Sequence, residues 1–116
     1  MREIRLTFER PQLKINGIVF DVLKSDKAIV QDMCEIDRHF ADKDLNDPNV
    51  IVEKNDVMLQ YLDALLGKGA MEKIEGSIDG IQDYGLGLSG LDTFLARIVQ
   101  EAGNAYSNAI KLKYDD

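Results

Sequence analysis

The alternation of apolar and polar residues predicts a strand near the start of the chain. In residues 3–9, Ile4, Leu6 and Phe8 alternate with charged or polar residues, which is typical of a strand with one solvated face. Arg10-Pro11-Gln12 then interrupts the pattern. The exposed edge of this strand is a candidate docking surface for a partner strand, although Arg5 and Glu9 can also blunt it.

A β-hairpin is predicted directly after this strand. Two apolar runs flank Asn16-Gly17, the dipeptide that favours a type I′ turn because both of its central positions need positive φ. A two-residue turn fixes the register, and it brings the apolar residues of both strands to one face. The predicted cross-strand pairs are Ile15 with Ile18, Lys14 with Val19, Leu13 with Phe20, and Gln12 with Asp21.

From residue 25 the apolar spacing becomes helical. Ser25 is a good N-cap for a first helix that reaches about residue 42. We expect a second helix from about Asn55 or Asp56 to Gly67, where glycine permits the left-handed conformation that often ends helices. Gly69 frees the chain to start another helix at a new angle. The apolar face of the second helix consists of Val57, Met58, Tyr61, Leu62, Leu65 and Leu66.

The longest predicted helix is the last one. It begins at Ser89 or Asp92 and continues to about residue 112, with Lys111 and Lys113 near its negative C-terminal end. We expect Tyr114–Asp116 to be frayed. The predicted fold class is therefore α+β in a single domain, residues 1–116. Residues 1–24 form an antiparallel hairpin or three-stranded sheet, and residues 25–116 form a mostly helical bundle.

Composition narrows the possible functions. The chain has 116 residues, 45% of them hydrophobic, and 21 acidic against 14 basic residues give a net charge of −7. This charge argues against nucleic acid as a partner, because phosphate binding needs a concentrated cationic surface. No apolar run approaches the roughly 20 residues of a membrane span, and the N-terminus does not resemble a signal peptide. We expect a cytoplasmic protein that uses no cofactor.

One local pattern suggests a calcium loop. Asp42, Asp44, Asn46 and Glu53 occupy the first, third, fifth and twelfth positions of an EF-hand-like segment, 42–53, between two predicted helices. The pattern departs from an EF-hand where Asp47 stands in place of the glycine and Pro48 follows it. The simpler interpretation is an acidic, solvated loop, so we predict no metal site and keep a calcium-responsive regulatory module as an alternative function.

The residue types needed for catalysis are sparse. His39 is the single histidine and Cys34 the single cysteine, and they point about 140° apart on one helix. We expect His39 at the boundary of the core and Cys34 as a small core or boundary residue. Gly85, Gly87 and Gly90 match the letters of a phosphate-binding loop, but no strand or basic residue accompanies them. The interpretation we favour is a flexible linker in a protein that is not an enzyme.

This linker also carries candidate interface residues. Leu86 and Leu88 lie between glycines and beside Tyr84. Leucines on a mobile segment can dock into a client or another subunit, or they can fold into the protein's own core. Together with the first strand, they complete the predicted set of interface candidates: Ile4, Leu6, Phe8, Tyr84, Leu86 and Leu88.

The order of these elements, with two local motifs, resembles a known family. Ile15-Asn16-Gly17 with Phe20 matches a hairpin motif, and Leu65-Leu66-Gly67 with Gly69 and Ala70 matches a helix break. Both resemble motifs of the small tail assembly chaperones of long-tailed bacteriophages and of related uncharacterised prophage proteins. Most of the chain is covered by this similarity.

The resemblance implies a non-enzymatic assembly factor in the cytoplasm of a bacterial host. Proteins of this family coat the helical tape measure protein, keep it soluble and recruit tail tube subunits. The expected partners are therefore these two phage proteins and a second copy of the chain, with neither nucleic acid nor membrane. Another structural phage protein, such as a head–tail joining or tail terminator subunit, is a further alternative.

Overall fold

The computed structural model describes residues 1–81 and 88–115, and its fold confirms the predicted α+β class. The N-terminal strands precede four helices, and a strand follows the last helix. The strands form two separate antiparallel sheets of two strands each. In chain order the elements are β1 (Glu3–Phe8), β2 (Gln12–Ile15), β3 (Ile18–Asp21), α1 (Asp26–Phe40), α2 (Pro48–Leu66), α3 (Ala70–Gly76), α4 (Leu88–Ser107) and β4 (Ile110–Asp115).

The β2–β3 hairpin has the predicted turn and register. Asn16 and Gly17 both have positive φ, 49° and 81°, as a type I′ turn requires. All four predicted cross-strand pairs are present. Phe20 is buried, and Leu13 packs against the core from the same face. The hairpin thus lies on the helices through one apolar face, as a small sheet must to be stable.

The helix boundaries agree with the sequence at three points. The Ser25 hydroxyl accepts a hydrogen bond from the Ala28 amide, 3.1 Å, and so caps α1. Helix α2 ends at Leu66, before Gly67 as predicted, but Gly67 has φ of 112° and ψ of 153° and so does not adopt the predicted left-handed conformation. Gly69, with φ of 80°, then precedes α3. These boundaries depend on neighbouring residues alone.

The predicted start of α2 is wrong. The helix begins at Pro48 rather than near Asn55 or Asp56. The Asp47 carboxylate accepts a hydrogen bond from the Asn49 amide at 2.9 Å and caps the helix. Proline is favoured at the first helical position, since its missing N–H needs no partner there and its φ is already helical. Pro48 is therefore the first residue of α2, within the segment that was predicted to be a loop.

The core lies where α2, α3 and α4 meet. Its most deeply buried side chains belong to the predicted apolar face of α2, to α3 and to α4, and Leu62 is only 1% exposed. Helix α1 adds Ile29, and the hairpin adds Phe20. The fully buried large side chains are Leu62, Leu65, Ile74 and Leu95.

The C-terminal prediction needs correction. Helix α4 ends at Ser107, not near residue 112, and residues 110–115 form β4. Strand β4 pairs antiparallel with β1, so Tyr114 and Asp115 lie in a ladder and are not frayed, and Asp116 lies outside the described residues. Of the two predicted sheets, the hairpin is present and the three-stranded sheet is not, because β1 pairs with β4 instead. We call the β1–β4 pair the ribbon.

The ribbon makes the molecule elongated. The principal extents are 63 × 37 × 19 Å and the radius of gyration is 17.4 Å, against about 13 Å expected for a compact domain of this length. Among the described elements, β1 and β4 contact mainly each other. In the same described ranges, no helix is long and apolar enough to cross a membrane.

Candidate protein-binding surfaces

The ribbon has one apolar face, and no residue in the described part of the chain covers it. Strand register pairs Ile4 with Tyr114, Leu6 with Leu112 and Phe8 with Ile110. Side chains of directly paired residues project to the same side of an antiparallel ladder, and every second residue does so. All six are exposed by at least half of their surface, up to 71% for Leu6 and Tyr114. This concentration of exposed apolar side chains is typical of an interaction surface.

The opposite face of the ribbon is polar, and several of its side chains form ion pairs or hydrogen bonds within the chain. The Arg5 guanidinium pairs with Glu3 at 3.2 Å, and Lys111 pairs with Glu9 at 3.4 Å. The Thr7 hydroxyl donates to the Lys111 carbonyl oxygen at 3.5 Å. This face therefore suits water, and the alternation leaves only the apolar face in need of cover.

The ribbon joins the body at its base. The Glu9 amide donates to the Ala109 carbonyl oxygen at 2.8 Å, which extends the ladder by one bond. The Phe8 and Tyr106 rings lie 6.3 Å apart, a contact between β1 and α4. No ribbon residue belongs to the core cluster. The ribbon is thus held at one end.

A second apolar surface is the groove between α1 and α4, with a volume of about 430 Å³. Met33 and Val99 belong to its walls, and Val30, 62% exposed, lies at its edge. Asp26 and Asp37 add negative charge to the rim. A groove between two helices with an apolar lining is the geometry that accepts an amphipathic helix.

Two small residues of the groove have no role in the core. Cys34 is exposed and lines the groove, so its prediction as a core or boundary residue is wrong. Gly103 lies inside α4, where a Cβ atom would meet nothing within 4 Å. Glycine costs helix stability, and packing within the described chain does not require it at this position.

A polar cluster lies on the other side of α1, between α1 and α2. Lys24 Nζ donates to Asp32 Oδ2 at 2.9 Å, and the Tyr61 hydroxyl donates to the same oxygen at 3.0 Å. The Lys24 hydrogen bond, with a second from Tyr61, holds the pKa of Asp32 below its ordinary value. Burial, reinforced by Asp32, raises the pKa of Tyr61. These contacts connect α1 to α2 and to the segment after β3.

The predicted calcium loop does not have the geometry of an EF-hand. Residues 48–53 are the first turns of α2, so the predicted loop is wrong in its second half. The Glu53 carboxylate contacts Lys43 Nζ at 2.7 Å and His39 Nε2 at 2.9 Å, and both contacts lower its pKa. Asp44 accepts from the Asn46 amide at 2.9 Å. Within residues 1–81 and 88–115, no group of three His, Cys, Asp or Glu side chains is placed to hold a metal ion, so Asp42, Asp44, Asn46 and Glu53 are not gathered around one point.

The remaining predicted site residues lie partly inside and partly outside the described residues. Ile4, Leu6 and Phe8 are exposed on the apolar face of the ribbon. Tyr84 and Leu86 lie outside the described residues, as do Gly85 and Gly87. Leu88 is the first residue of α4, and its side chain lies outside the described part. His39 is exposed at the α1–α2 contact.

Comparison of the chain with protein-family models, with curated proteins and with solved structures found no match.

The β4 half of the ribbon, Ile110–Asp115, is not among the elements predicted from the sequence. Ile110, Leu112 and Tyr114 alternate with Lys111 and Lys113, which is the period of a strand. Ala109 and Ile110 also continue the apolar stripe of α4, which favours the prediction of a helix that continues to about residue 112. The match in length and alternation between residues 3–8 and 110–115 is a signal from which their pairing could have been predicted.

Proposed function

We propose that this protein is a non-catalytic assembly factor of the tail assembly chaperone type. In this proposal it binds an apolar helical segment of a phage tape measure protein in the bacterial cytoplasm, keeps that segment soluble and presents it to tail tube subunits. The observation that carries the proposal is the apolar groove between α1 and α4. The family resemblance in the β2–β3 hairpin and in the Gly67–Ala70 helix break supports it.

The groove suits such a client for two reasons. Its lining combines apolar side chains with the small residues Cys34 and Gly103, so the backbone of a bound helix can approach α4 closely. Its acidic rim, Asp26 and Asp37, favours a client helix with basic residues beside its apolar stripe. The net charge of −7 would help to keep the complex soluble.

Co-expression with the tape measure protein encoded nearby tests the proposal. We expect the chaperone to co-purify with the tape measure protein and to increase its soluble fraction. Val30→Asp places a charge at the edge of the groove and should reduce both effects. Val52→Asp is the matched control, because Val52 is also exposed on a helix but lies outside the groove. Absence of co-purification, or equal loss with both variants, would contradict the proposal.

Cys34 gives an independent measurement. It is the single cysteine of the chain and it lines the groove, so an environment-sensitive fluorophore attached there reports on occupancy. Titration with the tape measure protein should change its emission. Mass spectrometry of purified virions separates this function from that of a joining or terminator subunit, since an assembly chaperone is absent from the finished particle.

A further inference from the structure

The apolar face of the ribbon needs a partner. The area, the continuity and the charge of the ribbon indicate which partner it is. A two-stranded ribbon is marginally stable in water unless its apolar face is covered. In the described part of the chain, no element covers it. The question is therefore which molecule supplies the second layer.

The area of the face is sufficient for a protein interface. From the exposed fractions of its six apolar residues, the face presents at most about 800 Å² of accessible surface, which is comparable with the area that each partner buries in an interface of standard size. The face is also continuous, because three directly opposed pairs follow one another along the ladder. A flat apolar face of this size packs best on another flat sheet face, as in two-layer sandwiches.

The charge distribution favours a second copy of the chain. Residues 1–9 and 110–116 contain four basic and four acidic residues, so their net charge is zero, and residues 10–109 contain 10 basic and 17 acidic residues and carry all of the −7. Two copies that meet through their ribbons therefore bring together the neutral parts of the molecule. The elongated shape, 63 Å in its longest extent, leaves room for the two acidic bodies to stay apart, where their repulsion is screened.

We propose that the protein is a homodimer in which the apolar faces of two ribbons pack against each other about a two-fold axis. The interface is isologous, with Leu6 and Leu112 at its centre and the polar faces of both ribbons turned to water. The resulting two-layer, four-stranded unit completes the ribbon. None of the six apolar residues of the ribbon lines the groove between α1 and α4, so in this proposal each copy keeps its own client groove. This proposal goes beyond the client-binding function and does not depend on it.

Sedimentation equilibrium or light scattering of the purified chain tests the dimer without any client. As the concentration is raised to about 100 μM, we expect the measured mass to reach twice 13.0 kDa. Leu6→Asp should weaken self-association at least tenfold, to a level where the monomer dominates, because it buries an unpaired charge. Thr7→Asp is the matched control, since Thr7 lies on the polar face opposite Lys111, and it should stay dimeric.

Cross-linking keeps the test decisive if Leu6→Asp unfolds the ribbon. In a Cys34→Ser background, Leu6→Cys should give a covalent dimer with a short bismaleimide, and Thr7→Cys should not. A wild-type chain that is monomeric throughout this range, a dimer that Leu6→Asp leaves intact, or equal cross-linking of both cysteine variants would overturn the proposal. A monomer would also leave the ribbon to another occupant, such as the client itself.

Discussion

Leu6 and Leu112 lie directly opposite each other across the β1–β4 ladder, and both are exposed by more than half of their surface. The pair joins segments from opposite ends of the sequence, and neither segment contributes to the core cluster. The molecule thus has two parts with different physical requirements. The helical body buries most of the apolar residues of its core-facing sides, whereas all six apolar residues of the ribbon are exposed.

The ribbon should be separable from the stability of the body. Removing residues 110–116 deletes β4, yet the core side chains Leu62, Leu65, Ile74 and Leu95 lose no neighbours in the core cluster. We expect the shortened chain to keep its helical circular dichroism and to unfold cooperatively within a few degrees of the monomeric Leu6→Asp chain, a comparison from which the contribution of dimerisation is removed, as expected for a change of less than about 1 kcal/mol. Loss of the helical signal would show that the ribbon is part of the core.

The hairpin turn should require glycine at one position. Gly17 has φ of 81°, a conformation that costs an L-residue about 1–2 kcal/mol. Gly17→Ala should therefore lower the free energy of unfolding by about 1 kcal/mol, measured by urea denaturation. Gly76→Ala is the opposite control, because Gly76 ends α3 without positive φ and a Cβ atom meets nothing within 4 Å. It should raise stability by about 0.5 kcal/mol, and equal effects of the two substitutions would be inconsistent with this turn.

The Asp32 cluster should make stability depend on acidic pH. The pKa of Asp32 is lowered in the folded protein from its usual value of 3.8, chiefly by the Lys24 hydrogen bond. The carboxylate therefore stabilises the fold fully above that value, and this contribution is lost as the pH falls through the folded pKa. Asp32→Asn should be less stable than wild type by a constant amount above about pH 5, and the difference should shrink below about pH 4. A difference that does not change with pH would contradict the ion pair.

Tyr61→Phe examines the same cluster without changing its net charge. The substitution removes the hydroxyl that donates to Asp32 at 3.0 Å and keeps the ring that packs against Lys24 at 5.4 Å. We expect a loss of about 1 kcal/mol in urea denaturation at neutral pH. The loss should be smaller in the Asp32→Asn background, because the charged acceptor is already absent there. Strictly additive losses would indicate that the two groups do not interact.

Substitutions of Gly103 should separate the stability of α4 from binding in the groove. Gly103→Ala replaces glycine inside α4, where the new Cβ has open space, and should raise the free energy of unfolding by about 0.5–1 kcal/mol. Gly103→Leu fills the groove instead, and under the proposed function it should abolish capture of a tape measure protein while the fold remains. Wild-type capture by Gly103→Leu would exclude the α1–α4 groove as the client site.

Features that depend on residues close together in the chain follow from the amino-acid sequence alone. The Asn16-Gly17 turn sets the hairpin register through its backbone conformation, Ser25 caps α1 through its own side chain, and Gly67 ends α2. The apolar face of α2 is also a matter of local spacing. Five of its six predicted residues are buried, and Val57 is half-buried.

The conformation of the C-terminal segment and the surfaces that carry the proposed functions depend on contacts between residues that are distant in the sequence. Ile110 satisfies the helical stripe of α4 and the alternation of β4 equally well, so its local pattern has two solutions. The choice depends on the hydrogen bonds and side-chain pairs that β1 supplies from the opposite end of the sequence. Cross-strand pairing of this kind is non-local, and no window of adjacent residues contains its energy. The groove has the same origin, because it exists only where α1 and α4 come together.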